Sequence, residues 1–181
     1  FNRDPAKAME YYNQYMAKSD ASIKPEYDLA DLLYLNKQYD KAIQKADALV
    51  KVEGQKVQPR LYKLISYSYA AQKDSSKAFD YMQQYFDNAA DSNTVSKDYL
   101  LMGDLYASVK QNDSIAFNYF DTAVALEKDS SELMKYYKRF ADLAANDKNY
   151  SQQAKWLGKY YMSDPDNASN FRAHYYFEST P

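Results

Sequence analysis

Apolar and small residues recur along this chain at spacings of three, four and seven. The clearest copy reads Tyr99-Leu-Leu-Met102-Gly103-Asp-Leu-Tyr106, followed by Ala116-Phe-Asn-Tyr-Phe120-Asp-Thr-Ala123. Those spacings set one stripe on one face of a helix, so each stretch predicts a half-buried helix. A small residue lies on the stripe where a neighbouring helix must approach closely, and large residues flank it to fill the remaining volume. Related stretches are Leu29-Ala30 and Leu33 before Ala42, Ala46 and Leu49. Others are Tyr62, Ile65, Ser66 and Tyr69 before Ala78, Met82 and Tyr85, and Tyr137, Phe140, Ala141 and Ala144 before Ala154 and Tyr161.

The stretches form two interleaved ladders. Ala8, Ala42, Ala78, Ala116 and Ala154 open one series of helices at intervals of 34, 36, 38 and 38 residues. Ala30, Ser66, Gly103, Ala141 and Ala173 mark a second series, and the gap from small residue to following alanine is 12, 12, 13 and 13. Two helices therefore alternate within each unit, with one extra residue expected in the turns of units three and four. End signals agree. Asp4-Pro5 is a cap followed by proline at the first helical position, Asp40, Asp74 and Asp113 are placed to cap second helices, and Asp129-Ser-Ser-Glu132 is a candidate capping box. The polar stretch 89–94 breaks the periodicity as a linker does.

The division that follows is a half unit at 1–20, full units at 23–58, 59–95, 96–129 and 130–165, and a half unit at 166–181. It implies about ten helices, with 5–17 an orphan second helix and 168–178 the start of another first helix. Phe1 opens the sequence without a starting methionine, which suggests a piece of a longer protein. In such packing the alanine slots are tight, so Ala116→Leu should weaken the third unit more than any exposed change.

These stretches resemble the tetratricopeptide repeat, whose pattern is an aromatic, Leu-Gly, Tyr, then Ala and Phe, and a closing Pro in about 34 residues. Tyr62 and Tyr99 stand where tryptophan is usual, Glu26 stands there in the first full unit, and the closing proline occurs only as Pro165. The resemblance covers nearly the whole chain and implies an all-α, right-handed α-solenoid whose first helices line a concave face. On that implied face fall Tyr27, Asp31 and Tyr34; Lys63 and Tyr67; Leu100 and Asp104; and Lys135, Lys138, Arg139 and Asp142. Some members grip a chaperone's C-terminal carboxylate with basic and asparagine residues. Lys63, Lys135 and Arg139 match the basic places, but Tyr67 and Leu101 replace the asparagines, so that clamp is broken.

Composition narrows function by exclusion. The net charge of -2 provides no positive field for phosphates, so nucleic acid is not an expected partner. With no cysteine and a single histidine, His174, neither a metal site nor a cofactor nor a nucleophilic triad is expected. Gly54, Gly103 and Gly158 are too dispersed for a phosphate loop. Twenty-one tyrosines against one tryptophan suit thin helical layers, because a ring can be buried while its hydroxyl stays near water. No enzyme is expected. The expected role is a protein- or peptide-binding scaffold, and the alternative is self-association or intramolecular packing through Tyr12, Tyr15, Tyr175, Tyr176 and Phe177. The Asn-, Asp-, Lys- and Tyr-rich texture resembles repeat proteins of Bacteroidetes-like bacteria, which points to the periplasm or cell envelope rather than the cytoplasm, with no membrane insertion of this segment.

Overall fold

A computed structural model of the chain describes residues 4–18, 26–90 and 93–163. The described residues form nine α-helices, with a 3-10 turn at Gly54–Lys56 after the third and no strand among them. The helices are α1 (Pro5–Lys18), α2 (Glu26–Leu35), α3 (Tyr39–Glu53), α4 (Arg60–Ala71), α5 (Ser75–Asn88), α6 (Ser96–Val109), α7 (Asp113–Leu126), α8 (Ser130–Asn146) and α9 (Tyr150–Met162). The tenth helix expected at 168–178 lies outside the described residues. None of the described helices is long and apolar enough to cross a membrane.

The chain divides into two compact units, Phe1–Thr94 with Leu101–Ala116, and Val95–Leu100 with Phe117–Pro181. In the first, α1 packs on α2, α2 on α3, α3 on α4 and α4 on α5, while α2 also touches α4. Its core joins Ala30, Leu33, Ala42, Ile43, Ala46, Leu61, Leu64 and Ile65. The tight slots are real: Ser66 and Ala78 are fully buried, and the Ser66 hydroxyl donates to the Ala78 carbonyl at 2.7 Å. In the second unit α8 packs on α9. There Phe120 stacks on Phe140 at 4.2 Å, and Phe140 meets Trp156 edge-on at 5.0 Å.

One backbone device repeats in every hairpin turn. Lys37, Lys73, Gln111 and Lys148 have φ of 59°, 65°, 49° and 55°. A left-handed residue here frees the next N–H to reach back over the helix end. Gln38, Asp74 and Asn149 accordingly donate to the carbonyls of Leu33, Tyr69 and Ala144, five residues back. In the third hairpin Asn112 reaches six residues back to Tyr106, so this turn holds the extra residue that its spacing predicts. The fourth hairpin does not, and that expectation is corrected.

The left-handed residue stands five positions before Ala42, Ala78 and Ala116, and in the fourth hairpin five positions before Gln153. The backbone agrees: Ala42, Ala78, Ala116 and Gln153 each donate to the carbonyl four residues back, at Gln38, Asp74, Asn112 and Asn149. Gln153 thus holds the alanine slot, and Ala154, which the sequence pattern assigns to it, is exposed. The capping expectations also shift. Asp74, Asp129 and Asp4 cap their helices as expected. Asp40 instead accepts from Gln72, and Asn112 rather than Asp113 caps α7. Glu132 does not close the box in the expected way, because its carboxylate accepts from Lys135. Asn149 caps α9, which the sequence pattern did not single out.

The register carries a paired prediction. Ala116 is 0% exposed, so Ala116→Leu must displace packed neighbours and should cost about 1–3 kcal/mol. Ala154→Leu should change stability by less than about 0.5 kcal/mol, as surface substitutions do. Denaturant melts of both variants check this; equal losses would return Ala154 to the buried slot.

Candidate functional site

The first helix of each hairpin buries one stripe, and the residues beside that stripe are the candidate interface. In the first compact unit these residues are already engaged. Arg60, one residue past Pro59, donates from Nη1 to Asp31 Oδ2 at 2.8 Å and lies over the Tyr27 ring at 5.0 Å. The Tyr27 hydroxyl donates to the Glu53 carboxylate and accepts from the Gln58 N–H at 3.3 Å. Burial raises the Asp31 carboxyl above its ordinary range, with Arg60 opposing. Burial also raises the Tyr27 phenol, and Glu53 adds to the effect. These contacts tie α2 to the end of α3 and the start of α4. Arg60 was not among the residues singled out from the sequence, although a cation in the first turn opposes the helix dipole and is a visible signal.

Tyr34 is half-buried, its ring 5.7 Å from that of Tyr39, and burial raises its phenol. Lys63 lies 5.3 Å over the ring of Tyr85, so its ammonium covers the core of its own hairpin. Tyr67 and Asp104 are half-buried on α4 and α6.

In the second unit Leu100 is half-buried, and α8 carries the most open candidates. Tyr136, Phe140, Ala141 and Ala144 are its buried stripe. Lys135, Lys138, Arg139 and Asp142 are exposed, spaced three, one and three residues apart, so they share a solvent-facing stripe. Lys135 donates to Glu132 at 2.7 Å, and that carboxylate raises its ammonium. The result is a helix face of mixed charge with a cationic excess, laid over a rigid aromatic core. Such a face can set the register of a bound chain by charge pairing, and it contains no reactive constellation. His174, Tyr175, Tyr176 and Phe177 lie outside the described residues, and Tyr15 on α1 is exposed.

No protein-family model matches this sequence, and no curated protein matches it significantly. Solved structures do. The C-terminal part of a TPR repeat-containing protein from Cytophaga hutchinsonii superposes with a TM-score of 0.64 at 19% identity, covering 74% of this chain and 50% of that one. This chain therefore spans half the length of that neighbour. MamA gives a TM-score of 0.66 at 14% identity over 92% of each chain. YrrB, described as a TPR protein with an unusual peptide-binding site, gives 0.59 at 18% identity over 93% of this chain and 79% of its own. The likeness establishes the fold: an all-α solenoid of the tetratricopeptide type.

Proposed function

We propose that the chain is a non-catalytic scaffold that binds a protein or an extended peptide along the exposed faces of its first helices. The observation that carries the reading is α8, where Lys138, Arg139 and Asp142 face solvent on a helix whose opposite stripe is fully committed to the core. The packed scaffold fixes their backbone before a partner docks, so binding costs the freedom of the side chains and not that of the helix. In the other unit Tyr34, Tyr67 and Asp104 are candidate contacts of their own, each half-buried on its first helix. YrrB, with the same fold, is described as having a peptide-binding site, which supports a peptide-sized partner.

Arg139→Glu combined with Lys138→Glu reverses the stripe without touching the core. The variant should melt within about 0.5 kcal/mol of the parent, as surface changes do. It should lose partners recovered from a lysate of the source cells, and losses should be greatest at low salt. Identical recoveries by both baits would place binding elsewhere. The alternative reading, a self-association or packing module of an envelope protein, is favoured by the exposure of Tyr11 and Tyr15. Light scattering across a concentration series separates the two, because only self-association raises the mass of the chain alone.

A further inference from the structure

Ion pairs within the helical segments of this chain follow one order. Lys77 binds Asp74 at 3.0 Å and Lys135 binds Glu132 at 2.7 Å, so in both the carboxylate stands three residues before the ammonium. Helical side chains lean toward the N-terminus, so a lysine reaches back over an acid that precedes it. The helix dipole favours the same order.

Lys138 and Asp142 have the reverse order on α8. The lysine leans away from a carboxylate that follows it by one turn, and neither residue joins an ion pair or a side-chain hydrogen bond among the described residues. Both are exposed. Asp142 also lies in the C-terminal half of α8, where a carboxylate gains nothing from the helix dipole. The pair does nothing for its own helix, while the buried stripe behind it, Tyr136, Phe140, Ala141 and Ala144, holds the backbone in place. Of the neighbouring cations, Lys135 is shared with Glu132 and Arg139 has contacts of its own.

Resting on the reading of α8 as a binding face, we infer that Lys138 and Asp142 are its specificity-determining pair and select an extended peptide carrying an acidic residue and, two positions away, a basic one. The spacing sets this chemistry. Four residues of helix rise about 6 Å. An extended chain returns a side chain to the same face every two residues, about 6.6–6.8 Å along its axis. An acid and a base at that interval reach Lys138 and Asp142 together, each meeting its opposite charge. On adjacent positions they point to opposite faces, and only one of them can be met. Two acids in place of the mixed pair set one of them against Asp142. A helical ligand spans the distance with an acid and a base four residues apart, where the two satisfy each other instead. The site thus reads the order of charges rather than their sum, which separates it from a general attraction to acidic chains.

Two synthetic peptides of equal composition test this. One is three repeats of Glu-Thr-Lys-Thr, with acid and base two positions apart, and the other is three repeats of Glu-Lys-Thr-Thr, with them adjacent. Acetyl and amide caps remove the terminal charges, and like charges four residues apart oppose helix in both. Each is titrated at low salt into the isotope-labelled full chain and followed by NMR at Lys138 and Asp142. The first should bind more tightly by about two- to fivefold, the worth of one further exposed ion pair. Asp142→Asn should erase that difference, and because Asp142 is exposed the helical melt should stay in place, which circular dichroism verifies. Equal affinities in the parent overturn the inference and leave α8 as a binding face that does not read charge order. A difference that survives in Asp142→Asn overturns it as well, since another group then does the reading. Absence of shifts on α8 with either peptide at millimolar concentration also overturns it, whereas scaffold function stands or falls with the lysate recoveries.

Discussion

Trp156→Ala is expected to cost about 3–5 kcal/mol of folding stability, the range for removing a large buried aromatic. The residue is 0% exposed, stacks on Tyr137, meets Phe140 edge-on, and has Lys155 and Lys159 at 4.7 Å and 5.2 Å from its ring centroid. Lys155 is held there by two bonds to the Asp121 carboxylate at 2.7 Å and 2.6 Å. Removing the indole opens a cavity where rings from α8 and α9 meet, and strips two ammonium groups of their aromatic surface. The conservative change separates shape from polarity. Trp156 Nε1 is buried with no hydrogen-bond partner among the described residues. A buried unsatisfied donor costs about 1–3 kcal/mol, so Trp156→Phe gives up volume but recovers that cost. Its net loss should therefore fall clearly below that of Trp156→Ala. Denaturant melts followed by circular dichroism check both. Equal losses would show that the indole N–H is satisfied and that polarity, not volume, decides.

Most of the fold was legible because its determinants are local. Ala42, Ala78 and Ala116 announce themselves as small residues in apolar stripes, and a helix stripe depends only on residues within two turns. The fourth hairpin shows where this fails. Two neighbouring residues, Gln153 and Ala154, compete for the slot, and composition favours the alanine. The slot is nevertheless set by the left-handed turn at Lys148 and the cap at Asn149, and the large ring of Trp156 takes up the volume beside it. Turn geometry outranked residue type.

The candidate interface was less legible, for a physical reason. Whether Tyr27 or Asp31 faces a partner depends on Arg60, some thirty residues away in sequence and in contact only after α2 and α4 pack. Pairings of that kind leave no periodic signature. The α8 stripe was readable because its exposure follows from the same periodicity that buries Phe140 and Ala144.

Above about pH 10 the protein should lose stability, with the tyrosinate of its buried rings appearing together with the loss of helix rather than before it. Free tyrosine ionises near pH 10. Burial raises the phenols of Tyr34, Tyr81, Tyr136 and Tyr137 above that value, and at Tyr81 the bond from its hydroxyl to Asp47 at 2.9 Å adds to the effect. A group whose ionisation is harder in the folded state than in the unfolded one contributes stability that is complete below the unfolded pKa. That contribution disappears as pH climbs toward the folded value. Tyr81→Phe isolates one member. At neutral pH it forfeits the bond to Asp47 and should be less stable by roughly 0.5–1.5 kcal/mol, since both groups retain some solvent. Above pH 10 the parent must either keep a phenol protonated against the solution or release its proton beside a carboxylate, and phenylalanine has neither difficulty. The gap between parent and variant should therefore narrow as pH rises through 10 and 11. Melts at matched ionic strength across that window measure it directly, and a gap that stays constant would mean that the Tyr81 hydroxyl does not depend on Asp47 or on burial for its proton.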